Sequence, residues 1–218
     1  MSLEITHIRF ALDLQNDYQI KDLADYLAGA IYPDSRYVSG VSRLLTHDDK
    51  FLLPSFAVDD FSMGWQTHQL CDLVYDVVRR KLFEDLFPPG RDPYDEESWI
   101  KSTAIKIIQD IDDGRSLDDN LCLDFLENPR NPNGEDIRGI KQYQQIMIDV
   151  FENKKKNSVT EYFNMWLSMG VKKDLCEQIL LQAEEFLADK NMFARIQKIY
   201  GEMLRTYPEI LEKAISGE

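Results

Sequence analysis

Three histidines occur in the 218 residues, His7, His47 and His68, and each follows a threonine: Thr6, Thr46 and Thr67. All three lie in the first third of the chain. Imidazole is the commonest protein metal ligand and titrates near neutral pH, so three of them with carboxylates nearby could bind a divalent ion or move protons. His68 and Asp72 stand four apart in a stretch of helical periodicity, which puts them on one face about 40° apart. Such a pair can hold one ion, or it can form an ordinary hydrogen bond on a helix surface. Asp34 follows Pro33 just past an expected helix end. It reads as a turn or cap residue, or as a carboxylate delivered by a loop. His47 precedes Asp48 and Asp49, which reads as an acidic solvated turn or as another imidazole ligand beside a carboxylate.

The elements that must position these residues are helical. Apolar residues recur at helical spacing along most of the chain and strand signals are scarce. The spacing predicts helices over 3–14, over 19–31 with Asp17 as its cap and Pro33 as its stop, and from Asp59 or Asp60 to about Phe87, where Pro88-Pro89-Gly90 ends it. On that long helix Phe61, Trp65 and Arg79 share the stripe of His68 and Asp72, while Leu70, Leu73, Val74 and Val77 form the opposite, core-facing side. Residues 33–58 read as irregular. Further helices are expected over 96–112, 117–127, 136–153, 158–169, 172–188, 190–205 and 207–215. Residues 128–134 (Asn-Pro-Arg-Asn-Pro-Asn-Gly) form the clearest loop. The fold class is therefore an all-α multi-helix globular bundle.

Taken in order, T-H-I-x-F-A at 6–11, G-A-I-Y-P-D at 29–34, L-T-H at 45–47 and T-H-x-x-x-D at 67–72 resemble the bacterial zinc-dependent phospholipase C family. The resemblance covers about residues 5–80. It implies a phospholipase C-like N-terminal part with metal ligands at His7, Asp34, His47, His68 and Asp72. It also implies phosphoester hydrolysis by a metal-activated water, with Asp34 as the catalytic residue, either bridging metals or orienting that water. Three nitrogens and two oxygens suit zinc first, with iron, manganese or nickel as alternatives. The chain departs from the family in having no histidine after His68, and Tyr75 and Asp76 stand one turn beyond Asp72. One metal is implied, or two if Asp48 or Asp76 assists. A second resemblance is to the HD-domain phosphohydrolases. It rests on His7, the pair His47-Asp48 and a late aspartate such as Asp110, Asp112 or Asp113, and it leaves Asp34 and Asp72 unused.

Composition narrows the partners. With 25 basic and 39 acidic residues the net charge is −14, which repels nucleic acid and disfavours an anionic membrane surface. Lys154-Lys155-Lys156 is too short a run to alter that. No apolar run is long enough to span a bilayer, and the N-terminus shows no basic segment leading an apolar one, so a cytoplasmic protein is expected. Cys71, Cys122 and Cys176 share no ligand spacing and read as reduced, buried thiols. The acidic groups at 92–97 and at 110–119 (Asp110, Asp112, Asp113, Asp118, Asp119) read as solvated caps and turns, since neither matches a calcium loop. Residues 1–127 form the expected metal-binding helical domain. Residues 135–218 form a C-terminal helical region packed on it or on a partner, a homodimer being the commonest such assembly. The functional expectation is a metal-dependent hydrolase of a small phosphoester. The alternatives are a helical scaffold that keeps a remnant of the site, and the HD-type enzyme.

Overall fold

The structure is a computed structural model and describes residues 3–90, 92 and 95–216. Among these residues the secondary structure is helical throughout: α1 (Glu4–Leu14), α2 (Leu23–Ile31), α3 (Arg36–Ser39), α4 (Arg43–Thr46), α5 (Asp60–Leu82), α6 (Glu96–Ser116), α7 (Ile137–Glu152), α8 (Val159–Ser168), α9 (Lys173–Ala188), α10 (Lys190–Ile196) and α11 (Ile199–Ser216). Three 3₁₀ turns, Tyr32–Ser35, Asp49–Leu52 and Asp124–Leu126, join them. No helix is long and apolar enough to cross a membrane among the described residues.

α5 is the central helix. Asp59 caps it, its carboxylate accepting from Ser62 N at 2.8 Å while the Ser62 hydroxyl accepts from Asp59 N at 3.0 Å. α2 crosses α5 so closely that glycine is required on both sides. A Cβ on Gly29 would lie 2.0 Å from the Phe61 carbonyl oxygen, and one on Gly64 would lie 1.8 Å from that of Tyr26. α1 packs on α2, α5 and α6, α9 on α6, and α11 on α5, and the buried apolar residues form one continuous core from Leu3 to Met203.

Several sequence expectations need correction. α2 begins at Leu23 under an Asp22 cap, not under Asp17, because Asp60 Oδ2 accepts from the backbone N–H groups of Lys21 and Asp22 and holds them outside the helix. α5 stops at Leu82 rather than Phe87. Its final carbonyl is taken by Arg195, whose Nη2 donates to Leu82 O at 2.6 Å, and Phe83 turns into the core. Residues 117–127 hold only the short 3₁₀ turn, since Asp118 accepts from Asn120 N in a local turn. The segment 33–58 is more ordered than expected, carrying α3, α4 and two 3₁₀ turns. The break expected near Thr206 lies at residues 197–198, and Pro208 sits inside α11.

On α5 the expected core side is buried at Leu70 and Val74, whereas Val77 is 44% exposed. The polar stripe is itself interior, with Phe61, Trp65, His68, Asp72 and Arg79 all buried, because α1 and α2 cover it. Cys71 and Cys176 are buried as expected, but Cys122 is exposed. The lysine run closes the end of α6, Lys155 Nζ donating to Arg115 O at 2.8 Å.

Candidate metal centre

His7 lies in the first turns of α1, where the leading backbone N–H groups have no partner within the helix. α6 supplies one. Asp110 Oδ1 accepts from Thr6 N at 2.6 Å and from the Thr6 hydroxyl at 2.8 Å, Asp110 Oδ2 faces Ile5 N at 3.4 Å, and Tyr162 donates to Asp110 at 2.5 Å. The cap comes from over 100 residues away and fixes the end of the helix that carries His7. Asp110 and Asp113 are therefore buried working groups, which corrects their reading as solvated turns.

Pro33 stops α2 and starts the 3₁₀ turn that delivers Asp34 into the interior, with 3% exposure. Its carboxylate makes no cap and faces histidines instead. His47 follows α4. Trp65 Nε1 and Gln69 Nε2 both donate to Thr46 O, at 2.9 and 2.8 Å, and Gln66 donates to the carbonyls of Leu52 and Leu53. These α5 side chains staple the 46–53 segment onto the helix that bears His68 and Asp72.

All five residues converge. His68 Nε2 lies 3.2 Å from His47 Nε2 and 3.7 Å from Asp72 Oδ2. His7 Nε2 lies 3.4 Å from Asp72 Oδ1 and 3.9 Å from Asp34 Oδ2, and His47 Nε2 lies 3.5 Å from Asp34 Oδ1. Ligand atoms sharing one ion at 2.0–2.2 Å stand roughly 3.0–3.6 Å apart; the 3.2, 3.4 and 3.5 Å separations fall in that range and those of 3.7 and 3.9 Å lie beyond it. Two triads meet at His68: His7, His68 and Asp72, and Asp34, His47 and His68. The distal ring nitrogens of His68 and His47 are anchored as metal-binding histidines require. His68 Nδ1 is 2.8 Å from Ala30 O and donates to it, leaving Nε2 as the lone-pair donor. His47 Nδ1 is 2.8 Å from the Thr46 hydroxyl, which itself donates to Arg43 O. The His7 and His68 rings stack at 3.8 Å.

The electrostatics follow from burial and mutual charge. Burial pushes the His68 pKa down to about 3, helped by neighbouring His7, so His68 is neutral. Burial opposes charge on His7 as well, but Cys71 and Asp72 outweigh it and hold its pKa well above the ordinary value. Burial would raise Asp34, yet His47 and His68 hold it below the usual carboxylate range. Asp72 is lowered in the same way by His7 and His68. Asp34 Oδ1 is buried and receives no hydrogen bond.

Other sequence candidates lie outside the cluster. Asp48 caps the Asp49–Leu52 turn through Lys50 N, and its side chain is 42% exposed. Asp76 is engaged by Arg79 at 2.6 Å and Arg80 at 2.8 Å. Neither assists a second ion in this arrangement, and Asp110 faces Thr6 rather than His47. Of the residues that position the ligands, Gln66 and Gln69 were not singled out from sequence, and Thr6, Trp65 and Asp110 were named there in other roles. The one local signal was the placement of Trp65, Gln66 and Gln69 around His68. Comparison of the chain with protein-family models, with curated proteins and with solved structures finds no match.

Proposed function

We propose that the chain is a metal-dependent hydrolase of a small phosphoester, the activity implied by the resemblance of residues 5–80 to the zinc-dependent phospholipase C family. The observation that carries the reading is the convergence of three imidazoles and two carboxylates, from four separate segments, in two triads that share His68 and could each hold an ion. A divalent ion held there, zinc first among the candidates, supplies Lewis acidity and a lowered pKa for water. His7, His47, His68 and Asp72 would hold the ion. Asp34 would orient the attacking water through its buried Oδ1, which accepts no hydrogen bond although His47 Nε2 lies 3.5 Å from it. The packed helices around the cluster exclude bulk solvent and strengthen these interactions.

The closure of the site favours a second reading. The five side chains are at most 10% exposed, and fully closed sites are the mark of structural ions. In that reading the ion is a staple in a helical scaffold.

Elemental analysis beside a phosphatase assay separates the two. Expected are about one equivalent of a transition metal, its loss in His68→Ala and His47→Ala, and turnover of p-nitrophenyl phosphate that chelator and Asp34→Ala abolish. Bound metal without turnover leaves the structural reading. A wild type that takes up no zinc, manganese or iron removes both. Loss of turnover in Asp48→Ala but not in Asp72→Ala would instead favour the HD-type alternative.

A further inference from the structure

Asp34 has a second outlook. Besides facing the histidines, it lines a cavity of about 20 Å³ between α1, α6 and α8, walled also by Glu4, Tyr37, Thr103, Lys106 and Trp166. A water molecule needs roughly 10–15 Å³ of such space, so the cavity takes one water and nothing larger. Three of its lining residues carry buried polar atoms that have no hydrogen-bond partner: Glu4 Oε2, Asp34 Oδ1 and Trp166 Nε1. They come from α1, from the turn after α2 and from α8. Two of these atoms accept and one donates. Leaving a polar atom buried and unpaired is costly, and ordered water is the usual partner of such atoms in folded proteins.

We propose that one water is bound here as a fixed part of the fold, accepting from Trp166 Nε1 and donating to Glu4 Oε2 and Asp34 Oδ1, and that Trp166 thereby positions the Asp34 carboxylate. The count closes. Water donates twice, which serves both carboxyl groups, and accepts twice, which serves the indole N–H and leaves one lone pair toward half-buried Lys106. The walls also exclude a charged occupant of this size. An anion would meet two carboxyl groups. A cation would meet the Lys106 ammonium and an indole N–H, which has no lone pair to offer. A carboxylate oxygen accepts more than once, so Asp34 Oδ1 still faces His47 Nε2 at 3.5 Å. The water site stands on the cavity and the unpaired atoms alone, and only its bearing on catalysis rests on the metal reading above. Through it α8, in the part of the chain that has no histidine, fixes a residue of the candidate site.

The test joins a high-resolution crystal structure of the full chain to a double-mutant cycle on its unfolding in urea, run without added metal. Trp166→Phe keeps an aromatic ring at the wall and removes the N–H, and Asp34→Ala removes the acceptor. Expected in the wild type is a water peak within about 3.2 Å of Trp166 Nε1 and of both carboxyl groups. Expected in the cycle is coupling: Trp166→Phe changes the unfolding equilibrium constant about fivefold less in the Asp34→Ala background than in the wild type, the worth of one hydrogen bond. A Trp166 that only fills space would give the same change in both backgrounds. Should either variant not fold, cross-relaxation from a long-lived water to the Trp166 indole proton in the wild type supports the site, and its absence overturns it. A wild-type structure with no water in the cavity, or with an ion there, overturns the proposal. A water peak with strictly additive variants overturns the coupling of Trp166 to Asp34. Because no metal enters these measurements, a chain that takes up no zinc overturns the function proposed above and leaves the water site standing.

Discussion

Thr6 has one hydroxyl hydrogen and two carboxylate neighbours, Asp110 Oδ1 at 2.8 Å and Asp113 Oδ2 at 2.7 Å. Both contacts are short hydrogen bonds only if one carboxyl group donates. Asp113 is that group, since burial raises its pKa to about 7 although Arg9 opposes the shift. The folded state therefore binds a proton that the unfolded chain releases near pH 4. The resulting stability is complete below that pH and is lost as pH rises through about 7. Asp113→Asn replaces the donor and removes the dependence. Between pH 5 and 8 the unfolding free energy of the variant should gain on that of wild type by on the order of 3 kcal/mol, read from urea melts at both pH values. A constant difference would contradict the assignment. The five residues of the candidate site were legible in the sequence because their side chains are of ligand type and their local motifs keep order along the chain. The groups that hold them were not. Asp110 meets Thr6 across 104 positions, and among so many surface acids nothing in the sequence sets it apart.

At the scale of elements, periodicity found the long helices but split α11 near Thr206 and misplaced ends set by distant side chains. Asp60 decides where α2 starts and Arg195 where α5 stops, and neither contact is local. The α2–α5 crossing is also invisible to periodicity, since glycine carries no hydrophobic signal. Yet this crossing puts Ala30 O within reach of His68 Nδ1. Gly64→Ala would drive a methyl group into backbone that cannot yield like a flexible side chain. It should cost about 3 kcal/mol or more and weaken metal binding as the His68 anchor retreats, measured by denaturant melts and by metal titration. An unchanged midpoint would show that the helices can separate without loss.

At the scale of the whole molecule, the helices of the C-terminal half complete the enclosure of a polar cluster that the first 72 residues supply. A cation that binds only the folded chain stabilises it by mass action, about 4 kcal/mol at a thousandfold excess over Kd. For a chain of this length that corresponds to a rise of roughly 10 °C in Tm, lost on adding chelator and absent in His68→Ala. An equal Tm with and without ion in the wild type would argue that the cluster closes equally well around protons.

The cap that Asp110 places on α1 also bears on the order in which the molecule assembles. The five candidate ligands are all synthesised within the first third of the chain, but the group that finishes the helix bearing His7 arrives with α6. An emerging N-terminal fragment thus holds every donor without the frame that orients one of them. If an ion occupies the cluster, its capture in the final cage waits for α6 to dock, a helix that begins at residue 96, beyond all five candidate ligands.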